Sequence, residues 1–421
     1  MLKKIIATLF TKGFVALINL VILLVSSRQL GGDVRGQVSL LILNIAIIQA
    51  INEIYTGYAL VYFIPRFYLK KIYSNGFILS IVCTILSGAF FYGISSYFHD
   101  KPWAQEIRNQ LIHIIILSFV IILHSFHGVI LLAKEKIKLY NFLNFFQPAL
   151  LLGALLINVF VLNNYTVMSY IISLYVSFLT SLLISTTGIY AVFKETTEHL
   201  GSYNGSAIFK NGFYNQLANL SHMLSNRYNF YLIASNAMVG VYSTSTTLIE
   251  SVLIISSSAA AIILTHIANN KDEANQVRIT FLLSKICFVL SLMAIIVLLV
   301  IPSEFFTFLL GKDYTLTKPI MLALAPGILF ISFSTLISHY FSGLGKQRII
   351  AIANFSGLFT TISTSYYLVN HYQVFGACYS TCLSYFVASM VLVIMFMKEN
   401  KLSFSSLFKI KNDLAFFKTM K

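Results

Sequence analysis

The chain has 421 residues, of which 57% are hydrophobic and only 10% charged; soluble domains hold roughly 45–50% apolar residues, so a water-soluble fold is excluded. The net charge of +15 would suit nucleic acid only if the basic residues clustered on one soluble face, and they sit instead in short loops between apolar runs. The four cysteines, Cys83, Cys287, Cys378 and Cys382, all fall inside apolar segments, which indicates neither a disulfide framework nor a structural zinc site.

Taken in order, the apolar runs have the length that spans a bilayer, and lipid leaves the backbone no water partner, so each reads as a helix. Lys3 and Lys4 before the first run resemble a signal peptide, but Lys12 interrupts its core and no cleavage site follows, which predicts an uncleaved first helix. The spans predicted in the first half are Ile5 to Ser27, Val38 to Phe63, Phe77 to Phe98, Leu111 to Leu132, Tyr140 to Leu162 and Val167 to Phe193. A polar hinge from Lys194 to Ser206 follows, and then Phe209 to Ser235, Val239 to Ile267, Ile279 to Ile301, Pro319 to Phe341, Ile349 to Val369 and Gly376 to Met397. The fold class is an all-α polytopic membrane protein of about twelve transmembrane helices in two six-helix lobes, residues 1–200 and 201–397, with a basic tail at 398–421.

One side of this topology collects most of the basic residues: Lys3 and Lys4, the loops holding Arg66, Lys70, Lys71, Lys134, Lys136, Lys138, Lys194, Lys210, Lys271, Arg278, Lys346 and Arg348, and the tail. The other side holds Arg28, Arg35, Lys101, Arg108, Lys312 and Lys318. The positive-inside rule therefore places both termini in the cytoplasm. The outer loops are short, which argues against a catalytic extracytoplasmic domain and against an enzyme.

Two weak echoes suggest an internal repeat. An offset of 212 sets His127, Lys134, Lys136 and Ile137 on His339, Lys346, Arg348 and Ile349. Gly13-Phe14 with Arg28 recurs as Gly212-Phe213 with Arg227, and Gly36-x-x-Ser39 as Gly240-x-x-Ser243. An even number of helices per half gives both halves one orientation, as in parallel-repeat transporters, with the substrate expected between the lobes.

A basic side chain at mid-bilayer costs at least about 2.5–3.5 kcal/mol, so Lys12, Arg227 and Lys285 are expected to face a watery cavity or a partner, or, for Lys12 and Lys285, to snorkel. Three such cations suit an anionic cargo. Arg227 is the strongest candidate because its helix is polar-faced, with Asn215, Asn219, Ser221, His222 and Asn226. Arg28 and Arg35 flank the Gly31-Gly32-Asp33 turn and join the candidate cationic set. Glu53 and Glu250 lie in apolar surroundings as candidates for H+ or Na+ coupling, with a structural salt bridge as the alternative. His124 and His127 have metal-ligand spacing, but no carboxylates or thiols converge on them, so polar packing is expected and no metal or cofactor is. Pro148 and Pro326 free backbone groups in their helices, and Tyr55, Tyr58 and Tyr62 stripe one face beside Glu53.

Leu30-Gly31-Gly32-Asp33-Val34-Arg35-Gly36 resembles the L-G-x-x-x-R-G turn of the polysaccharide flippases of the MOP exporter superfamily, the Wzx-type branch that moves undecaprenyl-diphosphate-linked oligosaccharides. Phe63-Ile64-Pro65-Arg66, Val239-Gly240-Val241-Tyr242-Ser243, Leu310-Gly311-Lys312-Asp313-Tyr314 and Ser342-Gly343-Leu344-Gly345-Lys346 add to the resemblance, and Asn226-Arg227-Tyr228-Asn229 is similar to the family's N-Y-R-x-D stretch with Asn229 where an acid is expected. The resemblance implies a flippase of the bacterial inner membrane with a cationic cavity and alternating access, serving O-antigen, capsule or exopolysaccharide synthesis beside the polymerase machinery. The alternatives are a cation-coupled multidrug exporter of the same superfamily and a membrane glycosyltransferase or polymerase.

Overall fold

The computed structural model describes residues 2–57, 60–65, 68–195, 205–269 and 272–402. Among them the regular elements are all helical: α1 Leu2–Thr56, the short α2 Leu60–Phe63, α3 Leu69–Tyr97, α4 Pro102–Ala133, α5 Ile137–Leu156 and α6 Val167–Glu195. There follow α7 Gly205–Arg227, α8 Asn236–Glu250, α9 Ile254–Asn269, α10 Glu273–Val300, the short α11 Ser303–Leu310, α12 Thr317–Gly343 and α13 Gln347–Glu399.

Nine helical stretches among the described residues are long and apolar enough to cross a membrane. α1 and α13 each carry two of the expected spans, separated by a single non-helical residue, Gly31 (φ 75°) and Gln373 (φ 50°). The turn expected at Gly31-Gly32-Asp33 is thus one break rather than a loop. α7 is too polar to count among the nine, and α8 runs through a 3-10 turn at Ser251–Leu253 into α9 as one stretch. With those adjustments the predicted spans map onto the observed helices in order.

Nine apolar helical stretches of bilayer length among the described residues make the chain a multi-pass membrane protein, and on two of its helices, α3 and α6, the polarity is inverted relative to a water-soluble bundle. On α3 the buried positions beyond the first turn are Gly76, Ser80, Thr84, Gly88, Phe91 and Ser95, whereas Ile78, Ile85, Leu86 and Phe90 are exposed. On α6 the serines at 169, 173, 177, 181 and 185 are all fully buried while Leu183 is 69% exposed. In lipid there is no hydrophobic force between helices, so small and hydroxyl residues let them approach and bulky apolar ones face outward.

Polar atoms inside the bundle find partners accordingly. His124 pairs with Ser181 at 2.8 Å; His127 pairs with Ser185 at 2.8 Å and with Tyr73 at 3.0 Å. The two imidazoles are thus held by hydroxyls, and among the described residues no group of three or more potential metal ligands occurs. Pro326 interrupts α12, and the Cys382 thiol donates to the Ala323 carbonyl, one turn before the proline, at 3.1 Å.

The chain divides into two compact units: one of Met1–Gln216, Ile233–Thr244 and Glu304–Thr315, the other of Leu217–Leu232, Ser245–Ser303 and Leu316–Lys421. The first unit therefore takes two segments from the second half of the sequence. The start of α8 packs on the second arm of α1 with near two-fold reciprocity. A Cβ on Gly36 would lie 1.8 Å from the Asn236 carbonyl oxygen, and one on Gly240 would lie 2.0 Å from that of Gly32, so only glycine permits this approach. Ser39 and Ser243 meet at 2.8 Å in the same seam. The Gly36/Gly240 echo is thus a pair of matching surfaces that contact each other.

The other echo needs a change of register. The turn after α4 and the turn after α12 have the same backbone bonds: Lys134 to Ile130 and Leu344 to Tyr340, Glu135 to Leu132 and Gly345 to Ser342, Lys136 to Leu131 and Lys346 to Phe341. Glu135 and Gly345 both have positive φ. Lys346 is therefore the counterpart of Lys136 rather than Lys134, two residues from the register that matched the side chains. The shared feature is the turn, and the coincidence of His127 with His339 is not part of it.

Candidate functional site

Two candidate residues of the second unit, Arg227 and Glu250, lie where two helices are interrupted. α7 ends at Arg227 and passes into a 3-10 turn at Tyr228–Tyr231; α8 ends at Glu250, in the middle of an apolar stretch, and passes into another. Asn226 Nδ2 donates to Glu250 Oε1 at 2.9 Å, and the Tyr385 hydroxyl of α13 donates to the same oxygen at 3.1 Å. The His222 ring, on α7, stacks on Tyr385 with centroids 6.1 Å apart and planes within 10°. Arg227 is near enough for its charge to act on both Glu250 and His222, yet it forms no ion pair among the described residues. The spacing Asn226-Arg227 at a helix end explains the division of labour: the amide reaches the carboxylate and the guanidinium stays half-buried beside it.

The turn after Arg227 is anchored by Asn229. Its Nδ2 donates to the Ala377 carbonyl at 3.1 Å and to Thr381 Oγ1 at 3.0 Å, with the residue fully buried. Thr361 of α13 donates to the Ser225 carbonyl at 2.9 Å near the end of α7. An amide can donate twice to two oxygens; a carboxylate at this position would face them with no hydrogen to offer. Lys285, also in this unit, lies with its Nζ 4.6 Å from the centroid of the Phe281 ring.

The remaining candidates belong to the first unit. Arg28 is exposed; its Nη1 donates to the Phe308 carbonyl at 2.7 Å and its guanidinium lies 5.4 Å from that ring's centroid. Arg35 is buried. Glu53 accepts from Gln49 Nε2 at 2.7 Å and from Gln216 Nε2 at 3.0 Å, so its carboxylate has amide partners rather than a cation. Tyr55 is buried, whereas the side chains of Lys12, Tyr58 and Tyr62 lie outside the described residues. Sequence reasoning singled out Arg227 and Glu250 separately; it did not link them, and it missed Tyr385, more than a hundred residues away, whose only signal was a tyrosine within an apolar run.

Comparison with solved structures shows which fold carries this site. The lipid II flippase MurJ in an inward closed conformation superposes with a TM-score of 0.67 at 15% identity, covering 99% of this chain and 91% of that one. An inward-facing multidrug resistance MATE family transporter of the MOP superfamily gives 0.69 at 15% identity, over 94% and 96% of the two chains. A MOP superfamily transporter from Pyrococcus furiosus Vc1, described as having a binding pocket of reversed polarity, gives 0.63 at 15% identity, over 96% and 95%. No family model matches the chain, and no curated protein matches it in sequence. The chain has the fold shared by these solved proteins.

Proposed function

We propose that this chain is an exporter that moves an undecaprenyl-diphosphate-linked oligosaccharide from the cytoplasmic to the outer leaflet of the bacterial inner membrane, with both termini in the cytoplasm. The observation that carries the proposal is Arg227: a half-buried cation in an apolar protein, without an ion pair among the described residues, at the end of a polar helix. A cation so placed favours an anion over a neutral or cationic cargo. The likeness of the whole chain to a lipid II flippase supports a lipid-linked substrate. In this reading Arg227 holds the diphosphate, Lys285 and Lys12 contribute positive potential, Arg28 assists, and the polyprenyl tail stays in lipid.

A potential negative inside drives the anion outward. At about 2.3 kcal/mol per charge per 100 mV, two phosphate charges gain roughly 4–5 kcal/mol at about 100 mV, so ion coupling is not required. The test is uptake of a lipid-linked sugar by vesicles containing the full chain, together with surface polysaccharide in cells. Arg227→Ala should abolish both and Arg227→Lys should keep part, because charge matters more than fork geometry; normal transport by Arg227→Ala would reject the reading.

Glu250 favours a second reading, a cation-coupled multidrug exporter. A buried carboxylate held by Asn226 and Tyr385 is a place where a proton or Na+ could exchange, and MATE transporters share the fold. Vesicles loaded with a cationic dye separate the two: efflux that needs Glu250 but not Arg227 would favour the multidrug reading.

A further inference from the structure

The segment Glu304–Thr315, which the first unit takes from the second half of the chain, is fastened across the break in α1 by two bonds of opposite polarity. At one end the Asp313 carboxylate accepts from the Gly32 amide at 2.9 Å. Gly31 interrupts α1, so the Gly32 amide opens the second arm without the partner that a continuous helix would supply, and Asp313 caps it from another segment. At the other end Arg28 Nη1, on the first arm, donates at 2.7 Å to the carbonyl of Phe308, one of the last of α11. A carboxylate thus sits on a helix start and a guanidinium on a helix end, the favourable sign in both cases.

The two turns share a pattern. Leu30-Gly31-Gly32-Asp33 and Leu310-Gly311-Lys312-Asp313 each place a buried leucine before a glycine of positive φ. Only the second acid crosses to the other turn; Asp33 accepts from Gln37 at 3.0 Å. On the inner face of the segment Phe306, Leu310 and Tyr314 are buried, and the Tyr314 hydroxyl reaches those of Ser27 and Thr244. On its outer face Phe308 is 68% exposed, and Arg28, Lys312 and Asp313 are exposed too. The Gly36/Gly240 seam is held differently: backbone lies against backbone, with no side chain to let go. The α11 segment is held at an exposed edge by two side chains, and so short a helix does not persist without its contacts. While it is fastened, Arg28 is committed to the Phe308 carbonyl and ring.

We propose that Glu304–Tyr314 is a releasable strap, latched by Asp313, that withholds Arg28 from an anion until it lifts, while the Gly36/Gly240 seam stays closed. The strap's role rests on the reading in which Arg28 helps to hold the cargo's phosphates, and the test separates the two. In a full-length chain whose native cysteines are replaced by serine, Gly32→Cys is combined with Asp313→Cys; a Cβ on Gly32 would lie 3.4 Å from that of Asp313, within reach of a disulfide. The pair should cross-link on mild oxidation, and a pair that does not counts against the strap. Oxidised and reduced forms carry the same charges, so pyrophosphate binding compares a locked strap with an unlatched one. Reduction should tighten binding about tenfold, the weight of a hydrogen bond to a charged group. Equal affinities overturn the strap, whereas no pyrophosphate binding in either form or in the wild type rejects the phosphate reading instead. Amide exchange then decides the latch without a ligand. Asp313→Ala should speed exchange of the 304–314 peptide about tenfold, with peptides of α4 and α6 unchanged, and Asp313→Asn, which keeps an oxygen for Gly32, should not. Exchange as slow in Asp313→Ala as in the wild type overturns the proposal.

Discussion

Arg35 and Arg227 are the same side chain in two opposite settings. Around Arg35 the backbone is so tight that Gly36 and Gly240 have no room for a methyl group, the Tyr170 and Tyr314 phenols are close, and among the described residues no carboxylate forms an ion pair with the guanidinium. Around Arg227 two helices are interrupted, the side chain is half-buried, and a carboxylate lies nearby but is hydrogen-bonded to Asn226 and Tyr385 instead. The first setting suits a fixed charge, and the second a charge that can exchange partners. What a buried cation can do is therefore decided by whether its surroundings can rearrange, more than by its charge.

The largest effect expected from breaking this contrast is in the tight region. Gly36→Ala places a Cβ 1.8 Å from a backbone oxygen, which must move; the Asn236-to-Ser243 segment is expected to lift and the protein to lose about 3 kcal/mol, the upper range for overpacking. Gly13→Ala, with nothing within 4 Å, is the control and should be neutral. Thermal unfolding of the two variants side by side measures the difference, and equal midpoints would mean that the seam is looser than its geometry indicates.

Next in size is Asn229→Asp in the open region. The change removes two donated bonds and turns a carboxylate toward the Ala377 carbonyl and Thr381 Oγ1. The expected cost is about 1–3 kcal/mol, relieved by added Na+ or by low pH, either of which would neutralise the new oxygen cluster. The wild type, whose amide supplies the hydrogens itself, should show no such Na+ dependence of stability at this position. A variant as stable as wild type and indifferent to both would show that the turn after Arg227 relaxes freely.

Much of this was legible in the sequence, for physical reasons that differ from residue to residue. The spans were readable because an apolar run of bilayer length has few alternatives to a helix, and α7 was readable as exceptional because Asn215, Asn219, His222 and Asn226 share its polar face. Arg227 and Glu250 stood out because charges are rare in such runs. Their partnership was not readable, since Tyr385 and Asn226 reach Glu250 through the packing of α7, α8 and α13 rather than through any spacing along the chain. Nor was the repeat's register: side-chain identity favoured Lys134 over Lys136 as the partner of Lys346, whereas the backbone bonds of the two turns pair Lys136 with it. Arg35 was picked out by its turn motif, but its burial was not readable, and Tyr314, whose phenol feels its charge, arrives from the far half of the chain.

Glu250→Gln sharpens the contrast with a smaller effect. Glutamine keeps an oxygen for Asn226 and Tyr385 but removes the negative charge beside Arg227. Arg227 should then bind an anion more tightly, by roughly tenfold if the carboxylate's influence is that of a pair at moderate separation and an effective dielectric near 20. Pyrophosphate binding to the purified protein reads this directly. Glu53→Gln, whose carboxylate has amide partners, should leave the same affinity unchanged; an equal gain from both substitutions would point to a general field rather than a local competition.

The smallest effect is expected at Arg28, three residues before the Gly31 break. It is exposed, donates to the Phe308 carbonyl and lies over that ring. Arg28→Lys keeps the charge and much of the cation–π attraction while losing the planar fork, so stability should change by about 0.5–1 kcal/mol at most. If Arg28→Lys instead lowers transport several-fold while stability holds, Arg28 handles cargo as Arg227 is proposed to do, and the echo between Gly13-to-Arg28 and Gly212-to-Arg227 is functional rather than a trace of shared packing.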